Sequence, residues 1–189
     1  MTPSIFTHPP QLHRRRHGPR GYNPYNGFKD WLRDEFQFRC VYCLEREMWY
    51  PDRAASFSVD HVVPQSEDRT LICEYGNLVY ACTRCNSGKQ EIRLLDPTAA
   101  AFGKHIRLGK EGLFVGLTAE VQDIIDLLSL NENPALKVRR WFLCITKCDR
   151  TTHRLVQGVI LRPPHHPPKC LREPTAAACS GVSYSFRSW

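Results

Sequence analysis

The stretch that decides the fold runs from Cys40-Val-Tyr-Cys43 to Cys82-Thr-Arg-Cys85 and contains two CxxC pairs. Two cysteines at this spacing can reach one metal ion from a single tight turn, and two such turns supply four thiolates for a tetrahedral zinc site. Four ordinary buried cysteines or a pair of disulfides are the alternative. The pairing favours zinc, which would hold together a small domain inserted between the two turns.

Between the cysteine pairs, residues 57–60 alternate apolar and polar side chains, which predicts a short strand. The strand would end at His61, and Pro64 would interrupt any further ladder pairing. A histidine at a strand end can be aimed into a cleft. Asp60 would point to the opposite face, or partly so if the strand bends. Taken alone, a histidine at such a place is more often simply hydrogen-bonded.

Two asparagines follow this strand in the chain. Gly76 permits a turn that carries Asn77, and Cys85-Asn86 opens a predicted short helix that reaches about Arg93. A helix placed this way would present Asn86 toward the strand end. An asparagine after glycine is usually a turn residue, so the functional interpretation depends on the whole set occurring in order inside one cysteine-bounded unit.

Together these side chains are suited to phosphodiester hydrolysis. Asp60 and Asn86 offer oxygen ligands for a hard divalent cation and leave positions for phosphate and water. A neutral His61 can take the proton from an attacking water. Asn77 can hold the imidazole in the required tautomer through its side-chain or backbone carbonyl.

This arrangement resembles the HNH endonuclease family and its ββα-metal finger, over about residues 36–96 and more loosely to about Arg140. The resemblance implies that His61 is the general base and that Asn77 supports catalysis. It also implies that Asp60 and Asn86 bind the catalytic cation. The last position is Asn where the family often has His, which favours Mg²⁺ or Mn²⁺ over a catalytic zinc.

The same resemblance implies a second, structural metal and one further site residue. Lys89 fits the CNxxK ending that is frequent in the family. The structural Zn²⁺ would be bound by the four cysteines Cys40, Cys43, Cys82 and Cys85.

The sequence therefore predicts an α+β protein: a small ββα-metal finger stapled by a four-cysteine zinc site, with flanking helices and a C-terminal extension of β-hairpin and helices. Apolar periodicity and capping residues predict helices at 25–37, at 119–130 and from Pro134 to about 147, and a hairpin at 106–117. The predicted segments are a basic, disordered 1–24, a nuclease domain at 25–96, a hairpin plus two helices at 97–148 and an irregular tail at 149–189.

The formal net charge of +7 divides unevenly, as +3 over residues 1–35, −1 over 36–146 and +5 over 147–189. We therefore expect the two ends to attract a polyanion, although solvated tails would look the same. Candidate phosphate contacts are Lys89, Arg14, Arg15 and Arg16. DNA is the expected partner and RNA the alternative substrate. Because no sequence-reading motif is visible, the hypothesis is either a low-specificity nuclease or a subunit whose specificity a protein partner directs.

Residues 1–10 contain no apolar run of signal length, and no stretch approaches the roughly 20 apolar residues of a transmembrane helix. We therefore expect a cytoplasmic protein without membrane contact. The predicted function is a metal-dependent HNH endonuclease that hydrolyses DNA. The alternative is a non-catalytic zinc module that binds nucleic acid or protein and has no need of Asp60, His61 and Asn86 together. Restriction, phage or mobile-element defence, and phage DNA processing all suit the family.

Overall fold

The structure is a computed structural model that describes residues 5–132 and 135–147. Helices and two small sheets alternate along the chain, which confirms the predicted α+β class. In chain order the elements are α1 (Lys29–Glu35), β1 (Phe57–His61), β2 (Leu78–Cys82), α2 (Thr83–Lys89), α3 (Ala100–His105), β3 (Ile106–Leu108), β4 (Phe114–Gly116), α4 (Ala119–Leu127) and α5 (Ala135–Lys147).

The centre of the fold is the hairpin β1–β2 followed directly by α2. The strands are antiparallel, with Phe57 opposite Cys82 and His61 opposite Leu78. Every residue of β2 is buried, because α1 and α2 both pack on this hairpin. In the resulting ββα unit, α2 starts beside the start of β1, where Thr83 contacts Ser56, and ends beside the end of β1, where Lys89 contacts Asp60.

Helix α2 differs from its predicted bounds at both ends. It begins at Thr83 and ends at Lys89, instead of running from Cys85-Asn86 to about Arg93. Cys82 has extended backbone and serves as the N-terminal boundary, and Gln90 leaves the helix with a positive φ of 52°. The chain therefore turns away directly after Lys89, and Asn86 lies in the middle of the helix.

The N-terminal segment differs from the predicted disorder, because the described residues 5–24 pack against the rest of the molecule. Phe6 is fully buried. Glu35 at the end of α1 accepts hydrogen bonds from His13 Nε2 at 2.8 Å and from the backbone N–H groups of Arg16 and His17. Burial alone would raise the pKa of Glu35, but these hydrogen bonds lower it to about 2. Composition misses this anchor, because one buried carboxylate organises an otherwise polar segment.

The C-terminal extension follows its predicted order, with the addition of the short helix α3. Strands β3 and β4 pair antiparallel, and Thr118 caps α4 by accepting from the backbone N–H of Val121. Helix α5 returns to the core, where the Phe142 ring lies 6.1 Å from the Phe6 ring. The predicted tail at 149–189 lies outside the described residues. None of the helices in the described ranges is long and apolar enough to cross a membrane.

Candidate active site and metal centre

The four cysteines of the two CxxC pairs come together in one buried cluster. Their Sγ atoms all lie within 4.8 Å of one another, and those of Cys43 and Cys82 are 3.8 Å apart. A tetrahedral zinc site with Zn–S bonds of about 2.3 Å has S–S edges of about 3.8 Å. The thiols therefore fit a zinc ion in number, type and spacing, as the sequence predicts.

Local backbone geometry explains why these thiols converge. The first pair forms a tight turn in which Leu44 N–H donates to the Cys40 carbonyl and Cys40 N–H to the Glu45 carbonyl. Leu44 closes this turn with a positive φ of 61°. Cys82 ends β2 and Cys85 lies in the first turn of α2. A metal here would tie the first turn to the junction between strand and helix.

Two arginines lie close to the thiols. Burial lowers the pKa of Arg139 to about 10, although the sulfur of Cys43 opposes that shift. For Arg84 burial also acts to lower the pKa, but the sulfurs of Cys85 and Cys43 outweigh it, and the pKa is raised. The positive charges of Arg84 and Arg139 would offset the net negative charge of a four-thiolate zinc centre.

The predicted catalytic residues meet in a second place, a small cavity of about 100 Å³ between the end of β1 and α2. We call it the active-site cavity. Asp60, His61, Asn86 and Lys89 all line it. Asp60 and His61 are neighbours at the end of β1, and both line this cavity.

His61 is held by the backbone of the loop that follows β1. Its Nε2 lies 3.0 Å from the Ile72 carbonyl oxygen. A carbonyl can only accept, so Nε2 carries the proton and Nδ1 is the acceptor. The side-chain nitrogen of Gln65 lies 3.3 Å from Nδ1. Burial lowers the pKa of His61, so the imidazole is neutral near pH 7, the form that can accept a proton.

Asn77 was predicted to hold the imidazole of His61 directly, but its hydrogen bonds go to other residues. The Asn77 side chain accepts from Val63 N–H at 2.8 Å and donates to the Val63 and Leu71 carbonyls at 3.1 and 3.2 Å. Its own backbone carbonyl accepts from Val62 N–H. Asn77 therefore clamps the two ends of the 63–71 loop, and acts on His61 through the loop that ends at the Ile72 carbonyl.

Asp60 is buried and engaged by three donors. Its Oδ2 accepts from the Tyr42 hydroxyl at 2.8 Å, and its Oδ1 accepts from His61 N–H at 2.7 Å and from Lys89 Nζ at 3.2 Å. Lys89 is only 1% exposed. Lys89 was predicted to contact a nucleic-acid phosphate. In the structure the Lys89 ammonium is instead buried in an ion pair with Asp60.

Asn86 faces Asp60 across the active-site cavity. Its side-chain nitrogen donates to Ser58 Oγ at 2.8 Å, which fixes the amide and leaves Oδ1 as the ligand atom. A carboxylate and an amide oxygen at one cavity are the donor types that Mg²⁺ and Mn²⁺ prefer. The residues present therefore fit a hard divalent cation.

The three N-terminal arginines have different environments. Arg15 contradicts its predicted role, because its guanidinium lies over the Phe36 and Tyr75 rings and donates to the Leu78 carbonyl at 2.7 Å. Arg16 pairs with Asp34 at 3.3 Å but keeps an exposed side chain. Arg14 is exposed. Of the three, Arg14 and Arg16 remain accessible to a polyanion.

Sequence reasoning missed three side chains around the active-site cavity. The Tyr25 ring lies 4.6 Å from the His61 ring in an edge-to-face arrangement. Gln65 reaches His61, and Ser58 orients Asn86. Ser58 could have been found, since it shares a strand face with Asp60 two residues on. Tyr25 carries no local signal, because its approach depends on how the N-terminal segment packs.

Comparison with known proteins agrees with this ββα unit. Residues 40–91 match the family model for HNH endonucleases, which confirms the resemblance over this part of the chain. The chain is also similar to the Septu protein PtuB of Bacillus thuringiensis, with 27% identity over 124 residues. That match covers 63% of this chain and 46% of the relative, so the chain spans about half the length of the curated relative.

Proposed function

We propose that the protein is a metal-dependent endonuclease that hydrolyses DNA phosphodiester bonds at the active-site cavity. The observation that carries the proposal is the convergence of Asp60, His61 and Asn86 on one small cavity. The HNH match over residues 40–91 supports the same reaction class. A zinc-binding module without catalysis would not need a neutral, oriented imidazole beside two oxygen ligands.

In the proposed reaction, His61 Nδ1 takes a proton from a water molecule as the water oxygen attacks phosphorus. The Ile72 carbonyl keeps the other ring nitrogen protonated and fixes the direction of Nδ1. The phosphorus–oxygen bond to the leaving group then breaks, and that oxygen is protonated from solvent. Asp60 and Asn86 would hold Mg²⁺ or Mn²⁺, which supplies charge stabilisation at the phosphate oxygens.

The zinc site would keep this geometry by fixing the junction between β2 and α2. Because the ββα unit grips backbone phosphate, little sequence readout is expected from it, and a protein partner would direct specificity. DNA is the proposed substrate, and RNA is the competing one. The similarity to a Septu protein supports a role in defence among the pathways compatible with the family.

The direct test is cleavage of supercoiled plasmid by the zinc-loaded chain with Mg²⁺ or Mn²⁺. We expect His61→Ala to lower the rate by about 10²- to 10⁴-fold, as for loss of a general base, with zinc content unchanged. His105→Ala is the matched control, since His105 ends α3 and does not line the cavity.

Two outcomes would contradict the proposal. Equal cleavage by His61→Ala and the wild type would remove His61 from the reaction. Loss of zinc in His61→Ala would make the histidine a zinc ligand. A folded, zinc-loaded wild type that binds DNA but never cuts, with either cation and any partner supplied, would favour the non-catalytic module.

A further inference from the structure

A separate cavity of about 250 Å³ lies between the N-terminal segment and the first cysteine turn. It shares no lining residue with the active-site cavity. Two arginines line it, Arg14 and Arg39, together with Gln11 and Gln37. Phe36 and Leu44 supply apolar wall. We call it the arginine cavity.

A second cation lies next to Arg39. Arg39 and Arg46 face each other in an antiparallel bridge, and residues opposed in this way carry their side chains on the same face. Arg46 is buried, with 9% exposure. Burial and the charge of Arg39 together lower the pKa of Arg46 to about 10. Two like charges side by side repel each other, and a bound anion would offset that repulsion.

No such anion comes from the described part of the chain. Among residues 5–132 and 135–147, no carboxylate forms an ion pair with Arg14, Arg39 or Arg46. Arg39 donates to the neutral Gln37 side chain at 3.3 Å. Glu35 also lines the cavity, but its oxygens are used by His13 and by the backbone N–H groups of the N-terminal segment.

Arg39 and Arg46 thus form a cationic pair in which Arg39 is half-buried and Arg46 is buried. Arg14, which is exposed, adds a third positive charge at the cavity.

We propose that the arginine cavity binds the phosphate group of a nucleotide unit. Guanidinium groups are the preferred protein partners of phosphate. The volume equals that of about eight water molecules in the liquid, enough for a phosphate and part of the attached sugar or base, and the apolar wall suits the latter. The phosphate comes either from a DNA strand or from a free nucleotide. This site is additional to the one that the proposed function uses.

The test measures binding, so it does not depend on cleavage. The full, zinc-loaded chain is titrated with dAMP by calorimetry, and with a labelled DNA duplex by fluorescence anisotropy at several salt concentrations. Arg39→Gln should weaken dAMP binding about tenfold, as for loss of one charged hydrogen bond. For DNA it should lower the slope of log Kobs against log salt by about 0.9, the value for one duplex phosphate contact.

Arg107→Gln is the matched control, because Arg107 is exposed on β3 and loses the same charge outside the cavity. It should leave dAMP affinity unchanged. If Arg39→Gln weakens only dAMP binding, the site takes a free nucleotide. If it lowers only the slope of log Kobs against log salt for the duplex, the site takes a phosphate of a DNA strand.

The proposal would be overturned if Arg39→Gln bound dAMP with wild-type affinity and bound the duplex with the wild-type salt dependence. If that variant fails to fold, the exposed Arg14→Gln decides, with a several-fold weaker affinity expected and wild-type binding as the contradicting result. Because binding and cutting are read separately, a chain that binds dAMP through Arg39 yet never cuts plasmid, with either cation and any partner supplied, supports this site and contradicts the nuclease.

Discussion

The cysteine cluster and the active-site cavity lie at opposite ends of the same hairpin. They differ in how the side chains that could bind a metal are partnered. In the cluster, the four sulfurs face one another within 4.8 Å. In the cavity, each candidate ligand already has a protein partner: Tyr42 and Lys89 for Asp60, and Ser58 for Asn86. The sulfurs of the cluster have mainly one another as neighbours, whereas the candidate cation ligands are hydrogen-bonded by other side chains of the protein.

This difference predicts which of the two proposed metals would stabilise the fold and which would serve only the reaction. Thiols are weak hydrogen-bond donors and acceptors, so zinc binding to the cluster would contribute folding energy. The carboxylate and amide of the cavity are neutralised and hydrogen-bonded by neighbours. A divalent cation there must compete with those neighbours, so its removal should stop catalysis and leave the fold intact.

The largest effect should come from breaking the cluster. Cys82→Ser should reduce bound zinc from one per chain toward zero and lower the free energy of unfolding by several kcal/mol. Zinc stoichiometry from elemental analysis and thermal melting measure both quantities. Cys73→Ser is the control, since Cys73 is a half-buried cysteine outside the cluster. Unchanged melting and zinc content in Cys82→Ser would show that the cluster does not hold the fold.

The second-largest effect should come from Asn77, which positions the loop beside His61 but does not itself take part in the proposed reaction. Asn77→Ala removes the clamp on the 63–71 loop, and with it the fixed position of the Ile72 carbonyl beside His61. We expect the free energy of unfolding to fall by about 1–3 kcal/mol and plasmid cleavage by about 100-fold, with zinc retained.

Asn131→Ala is a matched control for that clamp. Asn131 also makes two side-chain bonds to backbone, accepting from and donating to Phe114 at 2.8 Å, but it lies in the C-terminal extension. It should lose similar stability and keep its cleavage rate per folded molecule. Equal loss of cleavage in the two variants would mean that Asn77 acts through global stability alone.

The same comparison explains which parts of the molecule the sequence could predict. The cluster was predictable because a CxxC turn is local: spacing alone brings two thiols to one point. The ββα order, with Asp60 at the strand end and Asn86 on the helix, was predictable for the same reason. Alternation along β1 and the position of the second cysteine pair determine both.

The rest of the cavity depends on long-range packing, for which no spacing rule exists. Ile72 contributes a backbone carbonyl, which every residue has. Lys89 fits a family ending, but its burial against Asp60 depends on where α2 ends. Arg15 belongs to a basic tract that is typical of a solvated tail, yet it lies between two aromatic rings because α1 and the 75–77 turn form a slot there.

The third prediction concerns competition for Asp60. Because Lys89 Nζ occupies the same carboxylate that would bind the cation, Lys89→Met should tighten Mn²⁺ binding about tenfold by removing a neighbouring positive charge. Calorimetric Mn²⁺ titration measures this, and Lys104→Met, at an exposed lysine of α3, is the control. Weaker Mn²⁺ binding in Lys89→Met would mean that the ammonium holds Asp60 in its binding position instead of competing.

The smallest effect should come from Tyr25, which touches the base but no candidate ligand. An edge-to-face aromatic contact contributes about 0.5–1.5 kcal/mol, so Tyr25→Leu should lower the cleavage rate only two- to tenfold. Zinc content and Mn²⁺ affinity should not change, because the ring packs on His61 and not on Asp60 or Asn86. Tyr22→Leu is the matched control, since the Tyr22 ring packs on Phe28 at 4.9 Å. If Tyr25→Leu changed the Mn²⁺ affinity by as large a factor as the cleavage rate, the packing around His61 and cation binding by Asp60 and Asn86 would not be independent.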